Sequence, residues 1–507
     1  MEPNDTERSS DSSADIWTRR LFVLTAMAIL FIPLVLTLLH PTTGGEVSSE
    51  KRELAPAPRL VVNDVPNPEV LVEAGNYYAD HFALRAQLVD LDATVLQSLF
   101  ITSAVDSVVA GSDGWLYYTG EMGDYQRTGL MSDHALHNAA HNLSLVQEAM
   151  EARGKRFVVA IAPNKSSLYP SHVPYYRVPG QGDNNYTRLM QLLAEHGVHT
   201  VDLRSVFSNR EGEWYLHRDS HWTDEGALVA FEAIRTALGR NATIDLSERS
   251  TDDSRVGDLD AMLHPVSAKP EFQGHWTGVD RYSYANDASS VEDNYIVTNS
   301  LDEEARGSLL MYRDSFGNAL LPPFATAYGQ AVFTKLVPYD MSPRMCSFAN
   351  DVVVERAERH LAFFASNPPY MPSPVRTIAQ EGEPKQTATT VAQLVNGPYL
   401  VVEGTLVDEE VRNDERVFVE VALPGRKPHT YEAFCVSQTD GMGADFEGQA
   451  YESSPNIVGD AGYRVYVELP EGTQDVPSGC RARVLVGTEE QCVEVGSTMY
   501  ESGESKE

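Results

Sequence analysis

Ser308-Leu309-Leu310-Met311-Tyr312-Arg313-Asp314-Ser315-Phe316-Gly317 is the stretch that decides the fold. Its apolar half reads as a buried strand, and Asn318-Ala319-Leu320-Leu321 beyond it can open a helix, so a hydroxyl sits at a strand-to-helix turn. Upstream, Tyr215-Leu216-His217-Arg218-Asp219-Ser220-His221-Trp222-Thr223 sets a carboxylate and an imidazole two residues apart ahead of a further helix. Together the two stretches supply Ser315, His221 and Asp219. A serine hydroxyl is a poor nucleophile until a nearby imidazole takes its proton, and the imidazole works best when a carboxylate fixes its tautomer and stabilises its cation. In an extended Asp-x-His segment both side chains point to one side, with the central Ser220 turned away. Each motif alone has a plainer reading as a helix cap, Asp219 for the helix beginning near Thr223 and Ser315 for the next one.

A helix through Arg153 leads to the apolar strand 156–162, a second helix near 187–196 leads to a strand at 200–203, and a helix over 224–238 follows the Asp-x-His segment. Strands alternating with helices indicate an α/β fold, a parallel sheet covered by helices on both faces. Ligands in such sheets bind beyond the carboxyl ends of strands, which is where Pro163-Asn164-Lys165, Asp219-x-His221 and Ser315 all fall.

The chain has 507 residues, enough for two or three domains, and 42% hydrophobic content allows a substantial core. Its 73 Asp+Glu against 39 Lys+Arg give a formal charge of -34, which argues against a nucleic-acid partner because phosphate binding needs concentrated cationic charge. Residues 21–39, LFVLTAMAILFIPLVLTLL, form an almost unbroken apolar run preceded by Arg19-Arg20. At about 1.5 Å per residue such a helix spans close to the ~30 Å hydrocarbon core, with Pro33 tolerated as a kink. The paired arginines place a tail, residues 1–20, in the cytoplasm and everything after His40 outside. A cleaved signal peptide is the rival; the length of the run and the lack of a small-x-small cleavage site favour an uncleaved membrane anchor.

Residues 40–67 are polar and proline-bearing, a linker lifting the globular part off the membrane. Val70, Leu71, Ala74, Tyr77, Tyr78, Phe82, Leu84, Leu88 and Leu91 recur at helical spacing over 68–100, and 108–118 reads as two short strands around a Ser-Asp-Gly turn. A second linker covers 367–397, rich in Pro, Glu, Gln and Thr. Beyond it six short strands, at 399–406, 416–422, 430–436, 463–469, 482–486 and 491–495, suggest a small all-β sandwich over 398–500. It would serve as a spacer or, more sharply, as a carbohydrate-binding module. The tail 501–507 is expected to be disordered. Cys346, Cys435, Cys480 and Cys492 all lie on the outer side, and at least two of the last three are expected to pair as a disulfide. None forms a CxxC pair and no His-rich cluster surrounds them, so neither a metal nor another cofactor is expected.

Several segments, in order, carry a resemblance: Glu53-Leu54-Ala55-Pro56-Ala57-Pro58, Asp80-His81-Phe82-Ala83-Leu84-Arg85, Gly114-Trp115-Leu116-Tyr117, Pro163-Asn164-Lys165-Ser166-Ser167-Leu168-Tyr169-Pro170, Asp219-Ser220-His221-Trp222-Thr223 and Arg313-Asp314-Ser315-Phe316. They resemble the SGNH-hydrolase-like domains of alginate O-acetylation proteins, of the AlgX and AlgJ type, and the related DHHW-motif proteins. The resemblance implies an SGNH-hydrolase-like domain over 68–366, with Ser315 as nucleophile, His221 as base and Asp219 as its orienting carboxylate. It also implies an extracytoplasmic, membrane-linked protein that places acetyl groups on polysaccharide hydroxyls, with a multi-pass membrane O-acyltransferase as acyl donor. A carbohydrate esterase shares the acyl-serine step, and a catalytically silent polysaccharide-binding or assembly protein is the reading outside enzymes. Arg313 stands where the family commonly has glycine; its side chain could crowd or charge the oxyanion region, which keeps the silent reading open. Asn164 and Lys165 could donate to an oxyanion or hold a sugar, or lie in a solvated loop. The Ser315 backbone N–H, at a helix start, is the firmest oxyanion donor. Asp314 is expected to brace the turn, Trp222 to pack, and His217 to stand as an alternative base.

Overall fold

The computed structural model describes residues 13–39, 54–62, 64–100, 102–240, 244–252, 255–385, 391–406, 415–438, 456–470 and 472–500. The expectations for residues 1–12, 40–53 and 501–507 lie outside them. Two compact units result, Met1–Ala110 with Val256–Lys269, and Gly111–Arg255 with Pro270–Glu507.

The first unit is mainly helical. Helix α1, Ser13–Leu39, holds the apolar run; its span Trp17–Thr37 is long and apolar enough to cross a membrane, and Leu21, Phe22, Leu24 and Phe31 are exposed. The helical spacing over 68–100 resolves into α2, Val70–His81, and α3, Arg85–Phe100. Leu84, at φ 68, separates them, because a left-handed residue cannot continue a right-handed helix. The short helix Asp258–Leu263 and the strand Val108–Ala110 also belong to this unit.

The second unit is built on a seven-stranded sheet. Its strands are β1 (Arg156–Ala162), β2 (Thr200–Val201), β3 (Tyr282–Tyr284), β4 (Tyr295–Ser300), β5 (Ser308–Tyr312), β6 (Gln330–Thr334) and β7 (Asp351–Ala357), in the spatial order β2-β1-β7-β5-β6-β4-β3. From β2 to β6 all neighbours are parallel, with Leu310 opposite Val352 on one side and Val332 on the other. β4 runs antiparallel to both its neighbours, β6 and β3, so the sheet is mixed where an all-parallel one was expected. The cause is connectivity: only residues 285–294 join β3 to β4, without a helix, whereas parallel neighbours need a crossover of about a dozen residues or more.

Helices α4 (Asp133–Ala152), α5 (Asn185–Glu195), α6 (Leu203–Ser208), α7 (Asp224–Ala237) and α8 (Gly317–Ala327) cover the sheet. The strands are apolar on both sides, as a doubly covered sheet requires. Val159, Leu310 and Val352 pack with Leu143 of α4 and Leu189 of α5, while Val158, Leu309 and Val353 pack with Phe207, Phe231 and Phe324 of α6, α7 and α8. Side chains cap the starts of four of these helices: Ser132 accepts from Ala135 N–H, Asn184 from Thr187, Asp202 from Ser205 and Thr223 from Gly226, all at 3.0 Å. Each such cap is worth about 1 kcal/mol. Asp202, expected within a strand, is therefore the cap of α6.

Beyond β7 the chain turns to β structure. Strands β8 (Ala392–Asn396), β9 (Tyr399–Thr405), β12 (Phe434–Val436) and β13 (Gly462–Glu468) form a sheet in the order β8-β9-β13-β12. A second sheet holds β10 (Arg416–Ala422), β11 (His429–Glu432), β14 (Arg481–Gly487) and β15 (Gln491–Met499), with Val375–Arg376 and Gln380–Glu381 at its edges. Leu400, Val402 and Val465 of the first share a core with Val417, Val419 and Val484 of the second, which makes a sandwich. The single strand expected over 430–436 is divided at Ala433 between the two sheets.

The sandwich rests on α4. Tyr399, Val401, Phe434 and Tyr466 join the α4 and α5 core. Asn142 of α4 accepts from the Cys435 N–H at 2.9 Å and donates to the Cys435 carbonyl at 2.8 Å. Arg376 pairs with Glu148 of α4 and with Glu432 of β11, both at 2.6 Å.

All four cysteines are free thiols, which corrects the expected disulfide. Gly487 is the register partner of Cys492, so Cys480, just before Arg481, lies at the far end of the β14–β15 ribbon. At ~3.3 Å per residue that is roughly 20 Å, far beyond disulfide reach. Cys435 belongs to the other sheet.

Candidate active site

The loop between α6 and α7 is closed on itself: Leu216 N–H donates to the His221 carbonyl at 3.2 Å and Thr223 N–H to that of Trp214 at 2.8 Å. Lys165, just after β1, reaches into it. Its ammonium donates to the carbonyls of Leu216, His217 and Asp219 at 3.0, 3.0 and 2.6 Å, and lies over the rings of Trp115 and Tyr117. Only 1% of Lys165 is exposed. An ammonium has three N–H protons, and these carbonyls take them. The expectation of Lys165 as an oxyanion or sugar contact is corrected accordingly: the side chain holds the loop that carries Asp219 and His221.

Within that loop His221 leans twice on Asp219, its N–H and its Nδ1 lying 2.9 and 2.7 Å from Oδ1. The other ring nitrogen, Nε2, is 2.8 Å from Ser315 Oγ. Ser220 does not turn away as expected; its hydroxyl lies 3.2 Å from His221 Nδ1. Burial by itself would raise the Asp219 pKa, but the charge and hydrogen bond of His221, with Arg255 at 3.8 Å, hold the carboxyl well below the usual carboxylate range. An ionised Asp219 at Nδ1 fixes the tautomer in which Nε2 accepts the serine proton. Neither residue acts as a helix cap: Thr223 caps α7, and α8 begins after Phe316 without a side-chain cap. His217 stacks on Trp115 at 4.2 Å and lies 3.3 Å from Glu213, so the imidazole that meets Ser315 is that of His221.

The turn that presents Ser315 is braced from below. Asp314 accepts from the N–H groups of Phe316 at 3.0 Å and Ala357 at 2.8 Å, and lies 3.2 Å from His360 Nδ1. Burial alone would raise its pKa; the hydrogen bond and charge of His360, with Arg356 and Arg359, depress it far below the ordinary value. Trp222 packs edge-on against Phe316 and donates Nε1–H to the Phe316 carbonyl at 3.1 Å. Arg313 donates to the carbonyls of Val291 and Asp293 at 2.8 and 2.9 Å and to the Asn318 side chain. Its guanidinium is committed to a neighbouring loop and the first turn of α8, which corrects the expectation that it crowds or charges the oxyanion region. Gly317 makes this arrangement feasible, since a Cβ there would lie 2.5 Å from the Cβ of Arg313.

Asn164 differs from Lys165. Its N–H donates to Glu358 at 2.7 Å, but its side-chain amide, in a residue 2% exposed, has no hydrogen-bond partner among the described residues. A buried amide without partners costs about 1–3 kcal/mol, so this one keeps capacity for a ligand.

Sequence reasoning missed Arg255 and the buried groups Glu355, Glu358 and His360. Glu358 accepts from Asn184 Nδ2 at 2.6 Å and Ser167 Oγ at 3.0 Å as well as from Asn164, and burial, then the charge of Asp124, pushes its carboxyl up to about 8. A signal was present: Glu355-Arg356-Ala357-Glu358-Arg359-His360 puts charges directly after Val352-Val353-Val354, at the carboxyl end of a strand. Arg255 lies in no pattern that could have marked it.

Residues 108–301 match the family described as the SGNH hydrolase-like domain of the acetyltransferase AlgX; Ser315 lies beyond the matched stretch. The probable alginate O-acetylase AlgJ of Pseudomonas syringae pv. tomato is 30% identical over 177 residues, 34% of this chain and 43% of that protein. The AlgJ of Azotobacter vinelandii is 24% identical over 176 residues, 34% of this chain and 44% of that protein. The chain thus spans less than half the length of these curated relatives. Among solved structures, the O-acetyltransferase domain of Pseudomonas putida AlgJ gives a TM-score of 0.36 at 20% identity, covering 50% of this chain and 92% of that one. The resemblance read from the sequence therefore holds in the family match and in the aligned relatives.

Proposed function

We propose that this chain, which carries an SGNH hydrolase-like domain of the AlgX and AlgJ type, is an extracytoplasmic polysaccharide O-acetyltransferase tethered to the membrane by α1. The observation that supports this reading is the hydrogen-bonded series Ser315–His221–Asp219, at 2.8 and 2.7 Å, beyond the carboxyl end of β5. Ser315 Oγ adds to the carbonyl carbon of an acetyl donor while His221 Nε2 takes its proton. The bond to the donor's leaving oxygen then breaks as His221 returns the proton to that oxygen, leaving an acetyl ester on Ser315. A sugar hydroxyl adds to the ester, losing its proton to His221, and the proton passes to Ser315 Oγ as the ester bond breaks. Asp219 stabilises the imidazolium formed in each half. The Ser315 backbone N–H and the Asn164 amide are the groups proposed to stabilise the oxyanion.

The names of the relatives point to alginate as their polysaccharide; for this chain the substrate class is a polysaccharide hydroxyl, and the acyl donor a multi-pass membrane O-acyltransferase. Water in place of the sugar would make the same site an esterase. The full chain in detergent is incubated with an activated acetyl ester, with and without oligosaccharide, and acetate release and sugar acetylation are followed by mass spectrometry. Ser315→Ala is expected to abolish both while the protein stays folded, since one small hydroxyl is too little to unfold a unit of this size. His221→Ala should be similarly severe and Asp219→Asn milder. Sugar acetylation supports the transferase and acetate alone the esterase; equal activity in wild type and Ser315→Ala rejects the triad.

A further inference from the structure

The segment Asp80-His81-Phe82-Ala83-Leu84-Arg85, which takes no part in the acyl-transfer reading, forms the corner between α2 and α3 in the first unit. Two hydrogen bonds hold that corner to the chain on either side of the exit from α1. Ala83 N–H donates to Thr37 Oγ1 at 2.8 Å, at the last residue of the apolar span Trp17–Thr37, and Ala55 N–H donates to Asp80 at 2.8 Å. The Thr37 hydroxyl in turn donates to the Pro33 carbonyl of α1 at 2.7 Å. α3 therefore starts at the level where α1 leaves the bilayer. Its polar side is already committed: Asp90 accepts from the N–H and the hydroxyl of Ser267, both at 2.9 Å, Gln97 lies 3.3 Å from His264, and Ala93 between them is fully buried. Leu88, Leu91, Val95 and Leu99, spaced by three and four residues, line the opposite side and are 40 to 70% exposed. A helix of a water-soluble domain turns such a stripe inward. We propose that α3 lies flat on the outer surface of the bilayer that α1 crosses, with this stripe in the boundary between headgroups and acyl chains.

An apolar surface of this kind marks a membrane or protein contact, and the Thr37–Ala83 bond names lipid, because it sets the start of α3 at the end of the span. α3 is about 24 Å long. Standing upright, it would meet the interfacial layer, roughly 5–8 Å thick on each side of the hydrocarbon core, only with its first turns, and Val95 and Leu99 would face water. The stripe instead runs to the last turn, as in a helix lying in the plane with its apolar side sunk about 5–10 Å. The residues beside the stripe fit the same medium. Thr94 and Ser98 donate their hydroxyls to the carbonyls four residues back, at 2.8 and 2.6 Å, and so carry no unpaired hydroxyl proton into it. Of the described residues exposed on α3, Asp92 alone is charged, and it stands at the edge of the stripe, at headgroup level. With no lysine or arginine in the stripe, the contact is apolar and zwitterionic lipid suffices. The inference rests on the anchor of the proposed function and is separate from its chemistry.

The full chain is reconstituted into phosphatidylcholine vesicles with a benzophenone amino acid in place of Phe31, Leu91, Val95 or Leu99, one at a time, all four being exposed, and the products of irradiation are identified by mass spectrometry. Phospholipid adducts are expected at all four positions. An adduct at Phe31 with none on α3 overturns the proposal and leaves the anchor standing, whereas no adduct at Phe31 overturns the anchor and the proposal with it. An adduct at Leu91 without those at Val95 and Leu99 means that α3 rises from the surface, which also overturns the proposal. Crosslinks from α3 to a second copy of the chain, or to another protein in place of lipid when the irradiation is repeated in native membranes, overturn lipid as the occupant. Replacing Leu91→Glu together with Leu99→Glu is expected to lose the Val95 adduct and keep the Phe31 adduct, with the melting temperature in detergent unchanged, as for other surface substitutions. A lower melting temperature would show that the stripe packs within the protein and would overturn the proposal.

Discussion

Replacing Lys165 by methionine removes the ammonium and keeps the buried stem. Three carbonyls then lose a charged donor, those of Leu216, His217 and Asp219. The His217 carbonyl retains a second donor, the Leu116 N–H at 2.8 Å, so the cost falls mainly on the other two. At roughly 1–3 kcal/mol for each buried acceptor left short of a partner, the loss is about 2–6 kcal/mol. That corresponds to a melting temperature lower by roughly 5–15 °C in a unit of this size. The same loop sets the 2.8 Å contact from His221 to Ser315, and a misplacement of about 1 Å can cost on the order of a hundredfold in rate. The assays are thermal unfolding and steady-state kinetics with an activated acetyl ester, varying the oligosaccharide. The expected pattern is a lower melting temperature and a lower kcat, with KM for the sugar little changed. A variant with wild-type thermal stability and a raised KM would falsify the positioning role and return Lys165 to substrate contact.

Gly317→Ala puts a Cβ 2.5 Å from that of Arg313 and should destabilise the unit by about 1–3 kcal/mol, as overpacking does; a melting temperature equal to wild type would show that the turn has room to spare. Glu358 has its folded-state pKa raised from 4.5 to about 8, so the stability it contributes is full below the lower value and lost as pH rises toward the upper one. Glu358→Gln, neutral throughout, should flatten the fall in melting temperature across that window, and equal slopes in the two proteins would count against the shift. The anchor reading expects protein recovered from membranes to begin at its own N-terminus, with residues beyond His40 open to protease added outside; an N-terminal sequence starting near residue 40 would mean cleavage.

Strand β5, the Ser315 turn and α8 could be read directly because an apolar run, a hydroxyl and a helix opening are adjacent in sequence, and β1 could be read from its long apolar run. β6 and β7 could not, although they flank β5. Ala331-Val332-Phe333 and Val352-Val353-Val354 are apolar runs too short for periodicity to separate strand from helix, and their place in the sheet comes from pairing with residues far along the chain. Asp219, His221 and Ser315, which the fold brings within 2.7 and 2.8 Å of one another, were read as a set because a serine nucleophile would need an imidazole and a carboxylate beside it. Lys165 and Arg313 were not, because their side chains go where tertiary structure supplies carbonyls: to Leu216, His217 and Asp219 for one, to Val291 and Asp293 for the other.

β12 is the last strand of its sheet, and the two bonds from Asn142 fall on its open side. A side-chain amide offers one donor and one acceptor, the same complement that a neighbouring strand would present. Bare strand edges recruit other chains and lead to aggregation, and folded proteins protect them with charge, bulges or a covering element. Here α4 is the cover, and Asn142 imitates a single residue of a missing strand. The sandwich is consequently not a self-sufficient module: cut from α4, residues 398–500 would bare both that edge and the apolar surface of Tyr399, Val401, Phe434 and Tyr466, so the solubility of the β half of this protein is vested in a helix of the α/β half.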